Sequence, residues 1–153
     1  MTSDGPERRA EHNVEVRPGA QEYVDEMARR RGYVLEYHKK LAQADFDALK
    51  AANGLVEAAY LRERTLDRKT KELIFIATLV VMRATKAHIQ SHIRVALDLG
   101  ADPAEILEAI EITLPEAGVV VFQEGFEAWC EVIGVVGLEP GIDVHGSQKH
   151  ITT

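Results

Sequence analysis

The chain has 153 residues, enough for one ordinary domain, and is 46% hydrophobic and 28% charged, as expected of a globular protein. Its net charge of −7 argues against nucleic-acid binding, because that affinity depends on neutralising phosphates. The longest apolar run, residues 73–82, is much shorter than the roughly 20 residues of a membrane span. With a polar N-terminus and a single cysteine, the sequence predicts a soluble, cytoplasmic protein that binds neither nucleic acid nor membrane.

The hydrophobic pattern predicts an all-α fold. Aromatic residues make up only 6% of the chain, which favours a core of aliphatic side chains in helices over a β-sandwich. We predict a flexible arm over residues 1–18, a single helical domain over 19–137 and a tail over 138–153. Apolar residues at three- and four-residue spacing predict about seven helices. These are expected over residues 19–31, 34–41, 45–62, 67–83, 85–99, 103–113 and 118–133.

Residues that favour helix ends support these boundaries. Asp67 and Thr85 are typical N-caps, and Asp102-Pro103 combines a cap with a proline at the first helical position. Gly100 is typical of the left-handed residue that follows a helix.

Two helices have predicted core faces that the structure can test. The run 73–82 is apolar on nearly every side, which predicts a helix buried all round. In the helix over 45–62, the inward residues are expected to be Phe46, Leu49, Leu55 and Ala58.

Two histidines share one face of the helix over residues 85–99. With 100° per residue, His92 lies about 40° from His88, and both lie beside apolar positions. Two packed core histidines with one hydrogen bond each would explain this pattern as well as a functional site would. On the preceding helix, Glu72 shares one face with Ile76, Leu79 and Arg83. Antiparallel packing of the two helices would bring Glu72 nearer to His92 than to Thr85.

A carboxylate beside a histidine can perform general acid–base chemistry near neutral pH. The same groups, Glu72, His88 and His92, could instead form a two-histidine, one-carboxylate metal site. Glu72 could also be only an acid that stabilises the start of its helix. Cys130 lies near Glu127 and Glu131, whose negative charge disfavours a thiolate, so we interpret it as a small buried residue.

Three segments resemble the carboxymuconolactone decarboxylase family: Leu66 to Ile74, His92 to Gly100 and Ala104 to Ile110. The resemblance covers roughly residues 60 to 135. It implies an alkylhydroperoxidase-D-like helical bundle that assembles as homo-oligomers, often trimers or hexamers. One branch of that superfamily uses a Cys-x-x-Cys pair ahead of a histidine. The corresponding positions here are Thr85 and His88, which argues against a peroxidase.

The resemblance therefore implies the decarboxylase branch, which acts without a cofactor on small carboxylated lactones from aromatic catabolism. Glu72 matches the family's helix acid and His92 its helix histidine, and we add His88 as a third catalytic candidate. Arg83, Arg94 and Glu116 are the predicted substrate-binding residues, with Arg94 acting across a subunit contact. An isomerase, a metal-dependent enzyme and a non-catalytic interaction protein remain alternatives.

Overall fold

The computed structural model describes residues 17–138, and this part of the chain contains helices and no strands. Seven helices have nine or more residues and one, α7, is a single turn. A π-helical turn, Glu57–Leu61, continues α3. The helices are α1 (Ala20–Arg31), α2 (Glu36–Ala44), α3 (Phe46–Val56), α4 (Arg68–Val81), α5 (Lys86–Asp98), α6 (Pro103–Glu111), α7 (Leu114–Ala117) and α8 (Val119–Ile133). The predicted arm and tail lie almost wholly outside the described residues and stay predictions.

The predicted end residues Asp67, Thr85, Asp102 and Gly100 are confirmed at the atomic level, although the bounds of α2 and α3 differ from those predicted. The Asp67 carboxylate accepts a hydrogen bond from the Thr70 amide at 2.7 Å, and the Thr85 hydroxyl accepts from the His88 amide at 3.4 Å. Asp102 accepts from the Ala104 amide at 2.8 Å, with Pro103 at the first helical position. Gly100 has a φ of 82°, in the left-handed region that glycine tolerates best.

The helices build two hydrophobic clusters. The N-terminal cluster joins α1, α2 and α3 through buried Ala20, Val24, Met27, Ala42 and Leu49. The larger cluster joins α4, α5, α6 and α8, and its fully buried members include Ile76, Val80, Ile89, Ile93, Ile106 and Ile110. Helices α4 and α5 pack directly on each other inside this larger cluster. Their packing places the candidate residues on facing surfaces.

The inward face of α3 differs from the prediction. Leu49 is buried as expected, but Leu55 is 74% exposed and Ala58 is exposed. Asn53 and Tyr60 take the inward positions instead. Asn53 is buried because its side chain bonds to Arg31, Tyr23 and Glu57, so a polar network replaces the expected aliphatic contact. Hydrophobicity therefore predicted the inward positions of Phe46 and Leu49 correctly and those of Leu55 and Ala58 wrongly.

The prediction that residues 73–82 are buried all round is wrong for the described chain. Glu72, Ile76 and Val80 form the buried face of α4, whereas Ile74 is 50% exposed and Met82 is 74% exposed. The outward face is apolar, which no core contact in residues 17–138 explains. Within the same residues, no helix is long and apolar enough to cross a membrane.

Gly125 allows α8 to approach α4 closely, and its replacement tests this packing. A Cβ atom at residue 125 would lie 2.5 Å from Val80 Cγ2 and 3.0 Å from Ile110 Cγ2. We expect Gly125→Ala to lower the free energy of unfolding by about 1–3 kcal/mol, measured by urea denaturation. Gly54→Ala is the matched control, because nothing lies within 4 Å of its Cβ and alanine favours the helix by roughly 0.5–1 kcal/mol. Equal effects of the two substitutions would contradict the close approach.

Candidate functional site

Glu72 and His92 form a direct hydrogen bond between α4 and α5. His92 Nδ1 lies 2.6 Å from Glu72 Oε2. Glu72 is 0% exposed and His92 is 2% exposed, so this polar pair is enclosed by protein. Both helices are packed antiparallel neighbours as predicted, and Glu72 does meet His92 rather than Thr85. The two residues that the sequence selected are therefore in contact.

Arg68 supports the second oxygen of the same carboxyl group. Its Nε donates to Glu72 Oε1 at 3.2 Å from one helical turn earlier. Its Nη2 donates to the Tyr60 hydroxyl at 2.8 Å and to the Arg31 backbone carbonyl at 2.9 Å. Because Arg68 touches α1, the π-helical turn and Glu72, it joins the two hydrophobic clusters at the site. Both carboxyl oxygens of Glu72 are thus held by hydrogen bonds.

Aromatic rings enclose the imidazole of His92. The ring centroid of Tyr33 lies 4.7 Å from that of His92, Phe75 lies at 5.3 Å and Tyr60 at 5.9 Å. His88 lies 5.3 Å away, one turn earlier on α5. Tyr60 is buried, whereas Tyr33, Phe75 and His88 are only partly buried. These three rings therefore form the outer part of the wall around His92.

Burial changes the acid–base properties of the pair. It raises the pKa of Glu72 from 4.5 to about 8, because a carboxylate loses hydration there. Burial, together with the positive charges of Arg68 and Arg31, lowers the pKa of His92 from 6.5 to about 4. The pKa of His88 is also lowered, by burial and by its neighbour His92.

At neutral pH the pair therefore holds one ionisable proton between the two side chains. With that proton on Glu72, the carboxyl O–H donates to His92 Nδ1 and leaves an N–H at Nε2. Because Nδ1 faces Glu72, Nε2 is the nitrogen from which a proton could be passed to another molecule. Such a pair can act as a two-step proton donor near neutral pH.

Access to the pair is restricted in this structure. Three surface cavities are described within residues 17–138, and neither Glu72, His88 nor His92 lines any of them. The nearest in sequence has a volume of about 240 Å³ and is lined by residues 60–68 and Lys71. Movement of one of the partly buried rings, Tyr33, Phe75 or His88, is one way in which a molecule would reach His92.

The three predicted substrate-binding residues lie apart from the buried pair. Arg83 follows the end of α4, is exposed and has a left-handed φ of 54°. Arg83 is eleven positions after Glu72 in the sequence, and a helix spans about 16 Å along its axis over that many positions. Arg94 on α5 and Glu116 on α7 are also exposed. The structure therefore does not bring Arg83, Arg94 or Glu116 to the pair within one chain.

Cys130 and the metal alternative can be placed in the structure as well. Cys130 lies on α8 against the large cluster, and burial together with Glu127 raises the pKa of its thiol. This agrees with the interpretation of a packed thiol rather than a nucleophile. In the part of the chain that the structure describes, no three His, Cys, Asp or Glu side chains form a group that could hold a metal. Independence of a cofactor stays a prediction.

Sequence reasoning missed Arg68, Tyr33 and Tyr60. Arg68 had a usable signal, because an arginine four residues before an acid on one helix commonly pairs with it. Tyr33 belongs to the short connection between α1 and α2, where no helical period indicates its direction. Tyr60 lies on the π-helical turn, which shifts the face expected from a regular α-helix.

Comparison with known proteins finds a family match that spans both helices of the site. The model of a family described as the carboxymuconolactone decarboxylase family matches residues 47–131, more than half of the chain. That family has an alkylhydroperoxidase-D-like helical fold, and the matched residues include both Glu72 and His92. No curated protein and no solved structure gives a significant match. The chain belongs to the carboxymuconolactone decarboxylase family.

Proposed function

We propose that the protein is a cofactor-independent decarboxylase of a small carboxylated lactone or a related intermediate of aromatic catabolism. The observation that carries this proposal is the buried, hydrogen-bonded Glu72–His92 pair, which stores a transferable proton near neutral pH. Family membership supports the reaction class, since the pair lies within the matched residues.

The reaction needs one proton and a stabilised carbanion. When the bond between the substrate carboxylate and its carbon breaks, CO2 leaves and the electron pair enters a dienolate conjugated with the lactone carbonyl. His92 donates its Nε2 proton to carbon, while Glu72 passes its carboxyl proton to Nδ1. The pair ends as a Glu72 carboxylate, held by Arg68, beside a neutral imidazole. A proton from solvent then restores the starting state.

His88 and the exposed candidates have supporting roles in the proposal. His88 lies beside His92 in the outer wall, where it can contact a substrate and help to position it. Arg94 and Glu116 are exposed, so any contact that they make with substrate is across a subunit boundary. Arg83 is also exposed, so its proposed contact with substrate would likewise cross a subunit boundary.

We also propose that the protein is a homo-oligomer, a trimer or hexamer. Support comes from exposed apolar side chains on α4 and near the start of α8: Ile74, Val81, Met82, Val119 and Val120. Multi-angle light scattering is expected to give three or six times the chain mass of 17.0 kDa. A single-chain mass at micromolar concentration would contradict this proposal.

Release of CO2 from carboxymuconolactone tests the proposed activity directly. The wild-type protein, without added metal, is expected to release one CO2 for each lactone consumed. Since the donor form requires the Glu72 proton, kcat is expected to fall as the pH rises through about 8. Treatment with a chelator should leave the rate unchanged. Loss of lactone with no CO2 would instead indicate the isomerase alternative, which uses the same proton.

The burial of Glu72 and His92 favours one further candidate function. In it the protein is not an enzyme, and the pair only stabilises the contact between α4 and α5. His92 is 2% exposed, and no described cavity reaches it. In that case neither CO2 release nor lactone isomerisation would occur with a panel of carboxylated lactones, and substitution of His92 would change stability alone.

A further inference from the structure

A second polar cluster lies on the N-terminal side of the candidate site, before the residues that the family model matches. Arg31, at the end of α1, is 4% exposed, and His38, on α2, is 2% exposed. Tyr33 connects this cluster to the Glu72–His92 pair, since its ring lies 6.4 Å from His38 and 4.7 Å from His92. The charge of Arg31 acts on both His38 and His92 and lowers the pKa of each.

The guanidinium of Arg31 has no carboxylate partner among residues 17–138. Its Nη2 donates to the neutral amide of Asn53, and its Nε has no hydrogen-bond partner. The nearest acid in this network, Glu57, already pairs with Arg30. Buried charges in proteins are normally paired, because an unpaired charge loses its hydration without compensation. One positive charge in this cluster is therefore uncompensated.

The contact between Arg31 and His38 does not supply the missing acceptor. His38 Nδ1 accepts a hydrogen bond from the Leu35 amide at 3.0 Å, so the proton of the neutral ring is on Nε2. Arg31 Nη1 lies 3.3 Å from that same Nε2. A guanidinium nitrogen cannot accept a hydrogen bond, so two N–H donors face each other there. Burial and the charge of Arg31 lower the pKa of His38 to about 4, which keeps the ring neutral.

We infer that Arg31 and His38 form a binding subsite for one carboxylate group of a small organic acid. Arg31 Nε has no acceptor, and Arg31 Nη1 and His38 Nε2 face each other as donors 3.3 Å apart, an arrangement that the two oxygens of one carboxylate would relieve. The guanidinium also approaches the Tyr33 hydroxyl, which is neutral and does not compensate the charge. A single negative charge matches the single uncompensated guanidinium. Tyr33 neighbours both His38 and His92, so this subsite lies beside the proposed proton donor.

The subsite would bind a carboxylate of the proposed substrate. It rests on the proposed function only for the choice of a lactone acid as the probe. The probe is 5-oxotetrahydrofuran-2-carboxylate, a saturated lactone acid that cannot form the conjugated dienolate, and its uncharged methyl ester is the reference ligand. Calorimetric titration measures binding without turnover. Absence of CO2 release would count against the decarboxylase, whereas absence of acid binding would count against the subsite.

Wild-type protein is expected to bind the acid at least about tenfold more tightly than the ester, as charge-assisted hydrogen bonds provide. Arg31→Gln should remove this preference. Arg29→Gln is the matched control, because Arg29 is an exposed residue of the same basic run that pairs with Glu26, outside this cluster, and it should keep the preference. Equal binding of acid and ester by the wild type, or an unchanged preference in Arg31→Gln, would overturn the inference. Stronger binding of inorganic phosphate than of the acid would overturn the assignment to a carboxylate.

A measurement on the wild type keeps the test valid if Arg31→Gln does not fold. The ¹⁵N resonance of His38 Nε2 should shift when the acid is added, because that N–H gains an acceptor. The nearby negative charge should also raise the pKa of His38. The methyl ester should cause neither change. Identical spectra with acid and ester would overturn the inference.

Discussion

The His92→Gln variant is expected to release CO2 from carboxymuconolactone about 10²- to 10⁴-fold more slowly than the wild type, the usual effect of losing a general acid. Glutamine can still form a hydrogen bond with Glu72, but it cannot pass a proton from Glu72 to the substrate. The loss should therefore appear in kcat, with a smaller change in KM. Initial rates of CO2 release at pH 7 measure both parameters.

The matched control for this experiment is Asp98→Asn, an exposed position on the same helix. It should keep the wild-type rate, and both variants should give helical circular dichroism spectra like that of the wild type. A His92→Gln enzyme whose kcat is within threefold of the wild-type value would remove His92 as the proton donor.

The free energy of unfolding is expected to fall by about 2 kcal/mol between pH 6.5 and pH 8. Glu72 has an ordinary pKa of 4.5 and a folded pKa of about 8, so the folded protein keeps a proton that the unfolded chain has lost. Folding then takes up a proton, and stability decreases as the pH rises. His92 changes from 6.5 to about 4 and acts in the opposite direction, but only below pH 6.5. Urea denaturation at intervals of half a pH unit measures the slope.

Glu72→Gln provides the control for the pH effect. The amide is close in shape to a protonated carboxyl group, can donate to His92 Nδ1 and can accept from Arg68. Because it does not ionise, the decline between pH 6.5 and pH 8 should disappear. At lower pH, both proteins should lose stability as His38 and His88, held neutral by burial, become charged in the unfolded chain. A wild-type stability that is constant or increases from pH 6.5 to pH 8 would contradict the assigned proton.

The capped ends of the helices were predicted well, because a capping residue contacts only its neighbours in sequence. Asp67, Asp102 and Gly100 act within a few residues, so their neighbours in sequence determine their roles. The inward face of α3 could not be predicted in this way. Asn53 is buried because Arg31, 22 residues earlier, requires an acceptor there. Such tertiary hydrogen bonds override hydrophobic periodicity.

The contact between Glu72 and His92 was predictable, because helical spacing and the packing of α4 on α5 were sufficient to bring the two side chains together. The substrate-binding candidates were less well placed. Arg83 shares the angular position of Glu72 on a helical wheel, but a wheel ignores the distance along the axis. Arg31 was overlooked as a site residue because a basic run at a helix end normally faces solvent. Only the folded contact between α1, α2 and α3 shows that it is buried.

The most direct test of the account is the pKa of the Glu72 carboxyl group in the folded protein, measured by ¹³C NMR with His92→Gln for comparison. The Glu72 carboxyl group is expected to titrate near pH 8, well above its ordinary value of 4.5. The ¹⁵N shift of His92 should show a neutral ring at pH 7. A Glu72 carboxyl that titrates near its ordinary pKa, beside a His92 that is neutral at pH 7, would contradict the claim that the pair holds a transferable proton.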